Sequence, residues 1–223
     1  MFESVYDKEE EKMSIRNIQS WLLSGDVAIQ FQTKRDLLSA DTSEFEILQK
    51  IISTSGWGKS FLQKRDNETR KWGNGLYGPK WISTHYTLLD LRNIGIHPDT
   101  LQYKESAELL LDEMWFNKGK VRKDRWRDLC VSGMFLHICC YAKIESNKIY
   151  EIVDYLIDKH YKDGGWNCMW EVGHTHSSLH TTLSILEGIR DYEENGYTYR
   201  LDELLQQRSE AHEFILKHRL YKS

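Results

Sequence analysis

The segment KGKVRKDRWR, Lys118 to Arg127, holds six cations and one acid in a chain whose net charge is −4. Guanidinium groups present a planar fork that matches phosphate oxygens, so this run is suited to an anionic head group. It also reads as an ordinary solvated loop. A second candidate cluster is Cys168, His174 and His176, gathered in one loop. Thiolate and imidazole bind zinc, but His-Thr-His lacks the usual spacing of two histidine ligands, and loop histidines often serve only as polar surface. His85 and Lys80 stand near the expected start of a helix and could face the same mouth. Trp72, Tyr77, Trp81, Trp126, Trp166 and Trp170 are bulky enough to line a pocket or stabilise a cation, and equally able to staple loops onto helices.

Composition bounds what these residues can do. The chain has 223 residues, 40% of them apolar, enough for one domain with a buried core. The acidic balance argues against a nucleic-acid binder relying on bulk charge. No apolar run approaches the length of a bilayer span, and residues 1–13 carry Asp, Glu and Lys without an apolar leader core. Four cysteines make no disulfide framework, and Cys139-Cys140 reads as a buried helical pair. A cytoplasmic protein with free thiols is expected.

The elements that must position these groups are helices. Both prolines, Pro79 and Pro98, fall between periodic segments. Amphipathic stretches around Phe45–Ile52, Ile149–Ile157 and Leu201–Leu205 alternate with stretches that are apolar almost all round. The latter are Thr87–Ile96, Ser132–Ile144 and Ser178–Ile189, with a weaker copy at Val27–Leu38. Their final isoleucines, Ile96, Ile144 and Ile189, lie 48 and 45 residues apart, the signature of a helical-pair repeat. The long connections rich in Gly and Trp favour closure into a ring over an open solenoid.

The turn DGGWNC, Asp163 to Cys168, resembles the Gly-Gly-aromatic turns of the terpenoid cyclases and protein prenyltransferase β subunits. The likeness extends as a degenerate repeat over roughly residues 20–218. It implies an α/α toroid, here a partial barrel of about four helix pairs. It also implies a zinc ion, because that family holds zinc with an Asp-x-Cys pair and a His about fifty residues later. The matching positions are Asp128, Cys130 and His180. Three such ligands leave a fourth position for a substrate thiolate. The family's diphosphate-binding cations, three and six positions before the Asp, fall on Arg125 and Arg122. Val131 stands where the family has a Tyr, and no Asp-x-Asp-Asp acid motif is present, which argues against protonation-initiated cyclisation.

The resulting expectation is an all-α domain over residues 15–223 behind a charged tail, residues 1–14. Leu88, Leu136 and Leu183 should lie on inner helices, and Leu48, Leu110, Ile152 and Leu205 on outer ones. Function follows as a zinc-containing, prenyltransferase-like protein acting on or binding an isoprenoid diphosphate or another apolar small molecule with an anionic head. Asp128, Cys130 and His180 would hold zinc. Arg122, Arg125, Lys80, Trp126 and Trp166 would hold the substrate, and a partner chain or second copy would complete the ring. A non-catalytic scaffold is the alternative, as is a carbohydrate-active enzyme, which would need paired carboxylates such as Asp90 and Glu187.

Overall fold

The computed structural model describes residues 6–220 apart from position 124. In chain order it contains α1 (Tyr6–Leu23), α2 (Val27–Gln32), α3 (Thr42–Ile52), α4 (Gly56–Leu62), α5 (Thr84–Asn93) and α6 (Leu101–Met114). A small antiparallel ribbon follows, β1 (Lys120–Arg122) and β2 (Arg125–Trp126). The remaining helices are α7 (Leu129–Tyr141), α8 (Asn147–Asp158), α9 (Leu179–Glu194) and α10 (Leu201–Lys217). A π-helical turn, Thr33–Leu37, extends α2, and a short 3-10 segment spans Cys168–Val172. The charged segment expected as a tail is helical from Tyr6, because its Glu and Lys residues favour helix and no Gly or Pro interrupts them. No helix among the described residues is long and apolar enough to cross a membrane.

The repeat is visible in the turns that close α5, α7 and α9. Gly95, Lys143 and Gly196 adopt positive φ angles of 85°, 53° and 84°. Behind each, an amide reaches back to a carbonyl five residues earlier: Ile96 to Leu91 at 2.9 Å, Ile144 to Cys139 at 3.1 Å, and Tyr197 to Tyr192 at 3.1 Å. This is the same left-handed cap three times, with an apolar residue folded back against the core. Each cap leads into the next helix of the pair, α6, α8 or α10. In the third copy the equivalent of Ile144 is Tyr197 rather than Ile189, because α9 continues to Glu194 before it is capped.

Helices α5, α7 and α9 run parallel. Gly133 and Gly188 let the backbones of α7 and α9 touch: a Cβ on Gly188 would lie 2.4 Å from the Gly133 carbonyl oxygen. Higher in the chain, His137 of α7 meets Asp191 of α9 at 2.6 Å. Arg92 of α5 reaches the same carboxylate with two N–H groups, at 2.9 and 2.5 Å. Burial pushes the Asp191 carboxyl up, but the hydrogen bonds from His137 and Arg92 outweigh it and hold it below its ordinary range. One buried charge cluster thus ties the C-terminal ends of three helices together.

Leu88 and Leu136 are buried on α5 and α7 as expected, and Leu110 and Ile152 are buried on α6 and α8. Leu48 and Leu205 are half-buried against the core. Leu183 departs from expectation and is 50% exposed. It shares a helical face with His180, Glu187 and Arg190, all exposed, so α9 is amphipathic rather than apolar all round.

Candidate functional site

The N-terminal ends of α5, α7 and α9 meet at one end of the molecule, and two tryptophans fix how the chain arrives there. The Trp72 amide donates to the Thr84 hydroxyl at 3.0 Å and its indole N–H to the Phe61 carbonyl at 2.8 Å. Two repeats later, the Trp166 amide donates to Thr182 at 3.1 Å and its indole to the Leu156 carbonyl at 2.8 Å. Each Gly-rich turn therefore uses an indole to bind the end of one helix to the start of another. Trp166 is fully buried in that role, which corrects its expected place in a substrate pocket: its one donor is already spent on a core carbonyl.

Between α6 and α7 the basic run folds into the β1–β2 ribbon. Arg122 pairs across the ribbon with Arg125, and the Arg127 amide closes on the Gly119 carbonyl at 2.7 Å. The ribbon and the start of α7 border an open hollow of about 200 Å³ lined by Val121, Arg122, Arg125, Trp126, Arg127 and Asp128. Trp126 stacks on Tyr155, with centroids 5.7 Å apart and planes 11° from parallel, and its amide is bonded to Glu171. Tyr155 in turn donates to the Arg127 carbonyl at 2.8 Å, so the wall is braced from behind by α8.

Arg127 donates from Nη2 to the Met114 carbonyl at 2.8 Å, while its buried Nε has no acceptor among the described residues. Burial lowers the pKa of this guanidinium, against the opposing pull of Asp128. A buried donor without an acceptor costs about 1–3 kcal/mol.

Asp128 occupies the cap position of α7 without a side-chain capping bond, and Cys130 lies in the first turn of the helix. The Cys130 amide points at the sulfur of Cys168, 3.2 Å away, and the Thr181 hydroxyl donates to the same sulfur at 3.4 Å. Ser178, which caps α9, steadies Thr181 by donating to its hydroxyl at 2.9 Å. The neighbouring Cys130 thiol, with the hydrogen bonds from Thr181 and the Cys130 amide, holds the Cys168 thiol below its ordinary range despite burial. Proximity to Cys168, together with burial, raises Cys130.

The expected zinc trio is not assembled. Among the described residues no three His, Cys, Asp or Glu side chains gather closely enough to hold a metal ion. The reason is helical phase. Thr181 is the residue of α9 that turns inward to Cys168, and His180, one position earlier, is rotated by about 100° to the exposed face. Cys130 therefore meets a second sulfur where an imidazole was expected. As placed, Asp128, Cys130 and His180 do not form a zinc site.

Of the other expected site residues, Arg122, Arg125 and Trp126 line the hollow. Lys80 is exposed and lies outside its wall. His174 and His176 are exposed, and their backbone carbonyls accept from Tyr161 and Asn167. His85 is fully buried, its Nε2 3.3 Å from the Met134 sulfur, amid Tyr77, Tyr86 and Phe135. Burial, with a smaller contribution from Arg127, lowers its pKa to about 4, so it stays neutral. Tyr77, Trp81 and Tyr86 pack ring to ring beside it, and Tyr77 is close enough to Cys130 and Asp128 to feel their charge. Sequence reading missed Arg127, whose type and run were noticed but whose unsatisfied donor is a tertiary property.

Compared with known proteins, the chain matches no family model, no curated protein and no solved structure.

Proposed function

We propose that this chain is a partial α/α toroid of the prenyltransferase-like kind, whose hollow binds the anionic head of an apolar molecule such as an isoprenoid diphosphate. The observation that carries the reading is the gathering of three arginines, Arg122, Arg125 and Arg127, in the wall of one hollow. Three guanidinium groups suit the several oxygens of a diphosphate. The head fits a hollow of about 200 Å³, and the exposed Trp81 ring, packed on the half-buried Tyr86 and Tyr77, offers an apolar path for the tail. The toroidal part of the reading is supported by the parallel run of α5, α7 and α9, each followed by a partner helix. The exposed stripe of α9 is the face on which a further repeat or a partner chain would close the ring.

Binding without transfer is the second reading, and the exposed position of His180 favours it over zinc-assisted chemistry. Calorimetric titration with farnesyl diphosphate tests the first element common to both. Each charge-assisted hydrogen bond lost costs about 1.5–3 kcal/mol, so Arg122→Ala with Arg125→Ala should weaken binding by roughly tenfold to a hundredfold per bond. Equal affinity in wild type and the double variant would remove the hollow from consideration.

A further inference from the structure

We propose that Cys130 and Cys168 are a reversible thiol–disulfide pair that reduces small peroxides, with Cys168 taking the oxygen and Cys130 resolving it. The pair is built by the fold, because its members are 38 residues apart and come from different segments. Two donors, the Cys130 amide at 3.2 Å and the Thr181 hydroxyl at 3.4 Å, converge on the Cys168 sulfur. They favour the thiolate, the form that attacks. Both cysteines are half-buried, while Cys139 and Cys140 are fully buried near the other end of α7. The backbone amide of Cys130 lies 3.2 Å from the Cys168 sulfur, so the two residues adjoin, as a resolving pair must.

The chemistry balances as follows. The Cys168 thiolate attacks one peroxide oxygen, the O–O bond breaks, and the leaving oxygen takes a proton to depart as water or an alcohol. Cys168 is then a sulfenic acid. The Cys130 sulfur attacks the Cys168 sulfur, an S–S bond forms, the S–O bond breaks, and the hydroxyl leaves as water with the Cys130 proton. The two sulfurs have lost two electrons and the peroxide has gained them. A low-molecular-weight dithiol returns the pair to the reduced state by exchange. The resulting bond would clip the first turn of α7 to the segment that starts at Cys168.

This proposal is independent of diphosphate binding, and the two fail separately. The test is to treat the folded wild-type chain with stoichiometric hydrogen peroxide near neutral pH, alkylate, and map the peptides. The expected result is a Cys130–Cys168 linked peptide, lighter by two hydrogens than its parts and released by dithiothreitol, with Cys139 and Cys140 still reduced. Cys130→Ser should stop at a Cys168 heavier by one oxygen and trapped by dimedone, and Cys168→Ser should lose peroxide consumption. A wild-type chain that remains folded by circular dichroism yet forms no such link would overturn the proposal. So would oxidation of Cys139 or Cys140 at the same rate, or undiminished peroxide consumption by Cys168→Ser.

Discussion

The backbone N–H of Cys130 points at the sulfur of Cys168 across 3.2 Å, joining the first turn of α7 to the Gly-rich turn that precedes α9. With the Thr181 hydroxyl added, this sulfur accepts from two protein donors, and its thiol is held below its ordinary range. Iodoacetamide near neutral pH should therefore label Cys168 before Cys130, Cys139 and Cys140. Thr181→Val removes one donor and should slow that labelling. Peptide mapping over a time course checks both, and labelling of Cys130 first would contradict the arrangement.

The close approach of α7 and α9 makes Gly188 intolerant of a side chain. The nearest contact for an added Cβ is the Gly133 carbonyl oxygen at 2.4 Å, a backbone atom that cannot swing aside. Gly188→Ala should destabilise the fold by about 1–3 kcal/mol or more, as overpacking does. Urea denaturation measures it, and a change within about 0.5 kcal/mol, typical of surface positions, would mean the helices separate easily.

The Arg92–Asp191–His137 cluster joins three helices inside the core, and Asp191 is fully buried. Asp191→Asn leaves Arg92 without its counter-charge. Breaking a buried pair in this way costs about 3–5 kcal/mol. The same urea experiment should show a lower midpoint at unchanged slope.

Acid should destabilise the protein through His85. Its folded pKa is about 4 against an ordinary 6.5. Between these values the unfolded chain binds a proton that the folded chain refuses. The contribution of His85 is therefore complete above about pH 6.5 and is lost as pH falls towards 4, by up to about 3 kcal/mol. His85→Phe should flatten that part of the pH–stability curve. A curve of unchanged shape would place the proton elsewhere.

Much of the architecture was legible because it is written in periodicity. The apolar run Ser132–Ile144 could only be a buried helix, and Ile96 and Ile144 mark true repeat positions. Arg122, Arg125 and Trp126 stand within one dense basic run, a local signal in the sequence, and the fold sets all three around one hollow. The sulfur pair was not, since nothing near Cys130 in the chain announces a partner 38 residues away. Trp166 could line a pocket or staple a turn, and only the position of the Leu156 carbonyl decides. His180 and Thr181 are neighbours in sequence yet face different surroundings, because one residue is more than a quarter turn of helix. Spacing alone cannot fix that phase.

The most direct test of the central claim is the nuclear magnetic resonance signal of the Arg127 side-chain Nε–H during titration with inorganic diphosphate. Arg127 is part of the wall, so an anion entering the hollow should move this signal saturably. Smaller shifts should appear for Arg122 and Arg125, and none for Arg200, which is already bonded to Asp154 and Glu203. An Arg127 signal that stays in place while diphosphate binds elsewhere, or does not bind, would contradict the account.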